Sequence, residues 1–125
     1  MQLKIEASKG LDEGKHTGKT TKLEVRPAKD KSGKVLDYSY AELYIKADDA
    51  VTDFEVRYSM PYKPGEKGKL AMTLAAFLGR ELKVGETVDP EKILVGRKVS
   101  FMVMDEVTAK GTFSRVVDGS LKPLN

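Results

Sequence analysis

Apolar and polar residues alternate most cleanly from Asp37 to Ala47, where DYSYAELYIKA sets Ala41, Leu43 and Ile45 on one side of a strand. Tyr38, Tyr40, Glu42, Tyr44 and Lys46 fall on the other side, so three tyrosines share a face that is not the greasy one. Residues 16 to 26 (HTGKTTKLEVR) alternate in their second half, with Leu23 and Val25 opposed to Lys22, Glu24 and Arg26. Pro27, which has no N–H for a ladder, is expected to end this first strand. Residues 52 to 60 (TDFEVRYSM) set Phe54, Val56, Tyr58 and Met60 against Asp53, Glu55, Arg57 and Ser59, a third strand that stops at Pro61.

The period then changes. Within residues 69 to 82, Leu70, Leu74, Phe77 and Leu78 fall on one helical stripe, closed by a left-handed residue at Gly79 or Gly85. A helical turn is predicted from Pro90 to Leu94, with Asp89 as its cap. Beyond it, Val99, Phe101 and Val103 alternate with Lys98, Ser100, Met102 and Met104, and residues 110 to 119 supply the antiparallel partner across a short turn. Met102 and Met104 mean either a strand buried on both sides, by barrel closure or packing under the helix, or an adhesive outer patch. Alternation puts Tyr58 with the core residues, whereas barrel twist leaves both Tyr58 and Phe113 free to turn outward.

Three strands, a helix and two strands is the element order of an OB-fold, a five-stranded Greek-key barrel with its helix between strands three and four. The expectation is thus a mainly β, OB-fold-like domain over residues 1–125, with a short flexible tail from about residue 119. One domain is the default at this length.

Composition removes several function classes. The 125 residues contain no cysteine, which excludes disulfides, thiolate metal sites and thiol nucleophiles. The opening MQLKIEASKGLDEGK has no apolar signal stretch and no long apolar run follows, so a cytoplasmic protein is expected, with no membrane contact. The net charge of +3 is unevenly spread: residues 1–34 carry nine Lys/Arg against five Asp/Glu, and residues 35–62 two against six. Residues 63–83 are again basic, five against two.

Rings beside mobile cations suit a single-stranded nucleic acid, because bases stack on π-faces while lysines neutralise phosphates. The sequence places that combination on strands one to three. Tyr38, Tyr40 and Tyr44 are the expected stacking platforms, each worth on the order of 1–3 kcal/mol per base. Lys22 and Arg26 on strand one, Lys29, Lys31 and Lys34 in the turn-rich loop, and Arg57 on strand three are the expected phosphate contacts, with Lys63, Lys67 and Lys69 extending the track. The plain alternative is a solvated hairpin whose tyrosines cover apolar surface. Glu42 stands between two of the rings, so a backbone crossing there must avoid it or meet it paired.

No catalytic residue, metal ligand or cofactor is expected. His16, the sole histidine, reads as a surface or phosphate-contacting residue. Asp48, Asp49 and Asp53, and Asp105 with Glu106, read as turn acids, and GEKGK lacks the Ser/Thr that follows the lysine of a phosphate loop.

Residues 70 to 117, through LAAFLGRELKVGETVDPEKILVGRKVSFMVMDEVTAKGTFSRVV, resemble the helix, acidic connector and closing strands of small OB-fold proteins encoded in phage and prophage replication or recombination modules. DEGKHTGKTTKLE is similar to the opening strand of that family, with His16 where an aromatic is usual. The resemblance implies non-catalytic, sequence-tolerant binding of single-stranded DNA exposed in replication or recombination. RNA is a second candidate ligand, and the rival function is a protein-interaction module docking a replication partner or a second copy through Met102, Met104 and the tyrosine face.

Overall fold

The alternating stretches become an antiparallel sheet. The computed structural model describes residues 11–50, 54–63, 68–109 and 111–124. Its strands are β1 (Gly14–Lys29), β2 (Val35–Ala47), β3 (Val56–Pro61), β4 (Lys98–Thr108), β5 (Gly111–Val116) and β6 (Lys122–Pro123). Helices α1 (Lys69–Leu78) and α2 (Pro90–Leu94) lie between β3 and β4. The sheet order is β3-β2-β1-β4-β5, with β6 on β4, and the outer strands β3 and β5 approach one another. Thr52, Asp53 and Lys67 lie outside the described residues.

Ala41, Leu43 and Ile45 of β2 are fully buried, together with Val56, Tyr58 and Met60 of β3 and Val99, Phe101 and Val103 of β4. Burying a side chain such as Leu43 contributes about 1.5–3 kcal/mol. From α1, Leu70, Leu74 and Phe77 join this cluster, while Leu78, expected on the same stripe, is exposed. The helix stops at Gly79, whose φ of 72° is the left-handed cap and whose N–H donates to the Ala75 carbonyl. Asp89 caps α2 by accepting from the Lys92 N–H.

β1 departs from expectation in two places. Pro27 does not end it: the strand runs on to Lys29 through a register shift after Pro27, an irregularity where a missing donor is tolerated. A second shift leaves Thr21 unpaired between Thr20, opposite Ile45, and Lys22, opposite Tyr44. One extra residue reverses the phase of alternation. His16, Gly18 and Thr20 therefore face inward before the bulge, although Lys22, two positions after Thr20, faces outward. A Cβ on Gly18 would lie 2.4 Å from the Lys46 carbonyl oxygen, so the close approach of β1 to β2 requires glycine there. Buried Thr20 donates its hydroxyl to the Leu94 carbonyl at 2.5 Å and accepts from the Arg97 N–H at 2.9 Å, tying the entry of β4 to β1.

Residues 121–124, within the segment expected to be a flexible tail, are pinned. Leu121 is buried, Lys122 and Pro123 pair with Ser100 and Val99, and the Leu124 N–H donates to the Lys98 carbonyl at 2.8 Å.

Candidate nucleic-acid interface

On the outer face of β1, β2 and β3 the register lines residues into rows. Lys22, Tyr44 and Arg57 form one row, Glu24, Glu42 and Ser59 the next, and Arg26, Tyr40 and Pro61 the third. Beyond the third row come Tyr38 and the loop from Asp30 to Lys34.

Tyr44 is not an open platform. The residue is only 6% exposed, with the Lys22 Nζ 4.3 Å and the Arg57 guanidinium 5.0 Å from its ring centre. The Arg26 Nη2 donates to its hydroxyl at 3.0 Å. Cations on a π-face are attracted by its quadrupole, and here they occupy the surface a base would need. This corrects the expected stacking role of Tyr44.

The same cations are held by carboxylates. Lys22 Nζ lies 3.1 Å from Glu24 Oε1, Arg26 forms a second ion pair with Glu24, and Arg57 Nη1 lies 3.5 Å from Glu42 Oε2. The hydrogen bonds from Arg26, and then from Lys22, hold the Glu24 carboxyl down at about 2. Lys22, Arg26 and Arg57, expected as phosphate contacts, are thus already paired.

The loop end is built differently. Asp30 Oδ1 accepts from the Ser32 hydroxyl at 2.6 Å, the Ser32 N–H at 2.9 Å and the Lys34 N–H at 3.0 Å, so the turn's one carboxylate is spent on its own backbone. These contacts, the Ser32 hydroxyl foremost, lower its pKa. Lys29, Lys31 and Lys34 are exposed, and among the described residues no carboxylate comes within 4.0 Å of their ammonium groups. Tyr38 and Tyr40 are half-buried and meet edge to face, ring centres 5.5 Å apart at 63°. Lys63 Nζ lies 5.3 Å from the Tyr38 ring centre. A shallow cleft of about 560 Å³ runs beside them, lined by Arg26, Lys29, Tyr40, Glu42 and Ser59 among others.

The larger groove, about 1170 Å³, separates β3 from β5. Its cations Lys22, Arg57, Lys69 and Arg115 are outnumbered by the carboxylates of Asp12, Glu13, Glu55, Asp105, Glu106 and Asp118. That charge balance disfavours a phosphate track. Lys69 belongs here and not to the loop end: its Nζ is 2.6 Å from Asp118 and 4.2 Å from the Tyr58 ring centre. Tyr58 is buried, its hydroxyl accepting from the Gly119 N–H at 3.1 Å, whereas Phe113 is 52% exposed.

His16 is a second correction. The bulge at Thr21 turns it inward, where it is 7% exposed and stacks on Phe101 with ring centres 5.8 Å apart. Its Nδ1 lies 3.0 Å from Asp49 Oδ1 and its Nε2 2.6 Å from the Asp12 carbonyl. Both partners only accept, so the doubly protonated ring satisfies both. Burial lowers its pKa, but the bonds to Asp12 and Asp49 outweigh it and leave the value raised above 6.5. Met102 and Met104 also depart from the packed alternative, standing 43% and 47% exposed on the outer face of β4.

The pairing of Glu24 with Lys22 and Arg26 was not expected, although all three share one alternating face in KLEVR. Lys63, expected to extend the track, lies over Tyr38, next to Tyr62, whose N–H donates to the Ser39 carbonyl at 2.8 Å. Among the described residues no three His, Asp or Glu side chains gather as a metal-ligand cluster, and no helix is long and apolar enough to cross a membrane. No family model matches the chain, and no curated protein matches it significantly.

Proposed function

We propose that the protein is a cytoplasmic, non-catalytic binder of single-stranded DNA, sequence-tolerant, and engages its ligand at the loop end of the β1–β3 face. The observation that carries this reading is the Tyr38–Tyr40 pair, with Lys63 over Tyr38, Lys29 in the cleft beside Tyr40, and Lys31 and Lys34 exposed in the adjoining loop. Half-exposed rings offer stacking surface, and among the described residues Tyr40 has no cation over its face and Tyr38 has Lys63 over one. Lysines without a carboxylate partner among those residues offer counter-charge. The strand order β3-β2-β1-β4-β5, with the helices between β3 and β4, supports an OB-fold, whose second and third strands and first loop receive oligonucleotides. The resemblance of residues 70 to 117 to OB-fold proteins of phage replication or recombination modules supports the same assignment.

Fluorescence anisotropy with labelled oligo-dT tests it. Binding is expected near physiological salt, with comparable affinity for mixed sequences and weaker affinity for duplex DNA. Absence of binding to any single strand would remove the function. An RNA oligomer of matched sequence, run in parallel, reports the DNA-against-RNA preference.

A second reading has its own observation: Met102, Met104 and Phe113 are exposed along the β4–β5 hairpin. In that reading the hairpin docks a protein partner. A defined oligomer or complex that depends on these residues, with no shift of single-stranded DNA, would favour it.

A further inference from the structure

Seven cations on or beside the outer face of β1–β3, Lys22, Arg26, Arg57, Lys29, Lys31, Lys34 and Lys63, are candidates for a ligand, yet the structure divides them into two groups. Resting on the single-strand binding proposed above, we infer that the Glu24–Glu42 row is a specificity element. It confines the strand to the loop end and limits the length of DNA engaged.

The register sets Glu24 directly opposite Glu42, forming a band of two carboxylates across β1 and β2 between Tyr44 and Tyr40. Lys22 and Arg26 are bound to Glu24, Arg57 to Glu42, and the Tyr44 hydroxyl stands 3.4 Å from a carboxylate oxygen of each. A phosphate entering this band gains a cation only by displacing a carboxylate, which is then left unpaired beside the new negative charge. On the loop side the balance reverses: Asp30 is held by its own turn, and the exposed Asp37 beside Tyr38 faces four cations. Lys29, Lys31 and Lys34 have no ion pair among the described residues, and Lys63 stands over Tyr38. Phosphates therefore gain most at the loop end and little beyond the Glu24–Glu42 row.

Counterion release makes the division measurable. Four neutralised phosphates give a slope of log affinity against log salt of about −2.8, at about −0.7 each for single strands. Engagement of all seven cations would give about −4.9 on the same scale. The occluded site falls at the short end of the range for such folds, so oligo-dT of about 5 nucleotides binds nearly as well as one of about 15.

The experiment is a salt titration of both oligomers with wild type and with the double variant Glu24→Gln, Glu42→Gln. Wild type is expected near −2.8 for either length. In the variant, Lys22, Arg26 and Arg57 are released, the slope for the longer oligomer steepens toward −4.9, and its affinity rises above that of the short one. If wild type already shows the steep slope and the variant leaves it unchanged, the row is no barrier, although single-strand binding stands. If wild type binds neither oligomer, the function itself fails and the inference with it. Should the double variant not fold, Arg57→Gln decides: an unchanged slope supports the division, and a slope shallower by about 0.7 overturns it.

Discussion

Tyr44 and the Tyr38–Tyr40 pair stand on one face of one strand, with lysines or arginines beside each, and they reach opposite states. The Tyr44 ring is closed over by Lys22 and Arg57, which Glu24 and Glu42 in turn hold. The Tyr38–Tyr40 pair lies past the carboxylate row, where Asp30 is consumed by its own turn and Asp37, beside Tyr38, is exposed. The difference lies in what stands across the strands. Tyr44 and Tyr40 both border the Glu24–Glu42 row, but only Tyr44 has cations held by that row, Lys22 and Arg57, lying over its face.

Removing the closed ring has the largest expected effect on the fold. Tyr44→Ala takes a buried ring from under two cations and is expected to cost about 3 kcal/mol in urea unfolding, while binding by the folded fraction persists. Tyr40→Ala inverts that pattern: stability within about 1 kcal/mol of wild type, and oligo-dT affinity lower by about tenfold, or about 1.4 kcal/mol. A variant of Tyr44 that stays stable and loses binding would exchange the roles of the two regions.

His16 offers a control far from the loop end. Its folded pKa is raised above the unfolded 6.5, so its contribution is fully present below about pH 6.5 and fades as pH rises through the folded value. The charged groups facing the ring are Asp49 and Asp12, and β4 contributes Phe101. His16→Gln is therefore expected to lower stability by about 1 kcal/mol at acidic pH and to flatten the pH profile, without changing DNA affinity. An unchanged pH profile would mean that the ring carries no extra proton. The smallest effect is expected of Lys31→Ala: no stability change beyond about 0.5 kcal/mol, and a salt slope shallower by about 0.7.

Much of this was legible in the chain. Alternation alone places Ala41, Leu43, Ile45, Val56, Val99, Phe101 and Val103 in the core, and helical spacing places Leu70, Leu74 and Phe77 against it. What it does not carry is the phase of β1. Nothing in KTTKLE marks Thr21 as the extra residue, yet that bulge decides that His16 is buried and Lys22 is not. The fate of Tyr44 was likewise hidden, because it depends on which residues of β1 and β3 lie opposite it, a property of register between strands. The pairing of β6 with β4 rests on Leu121 reaching the core, in a segment too short for periodicity to show.

The most direct measurement is the map of backbone amide shifts as oligo-dT is titrated into the labelled protein. The largest changes are expected from Lys29 to Tyr40 and at Tyr62 and Lys63, with Lys22, Tyr44 and Arg57 nearly still. Changes centred on Tyr44 and Arg57, or on the β4–β5 hairpin around Met104 and Phe113, would contradict binding at the loop end.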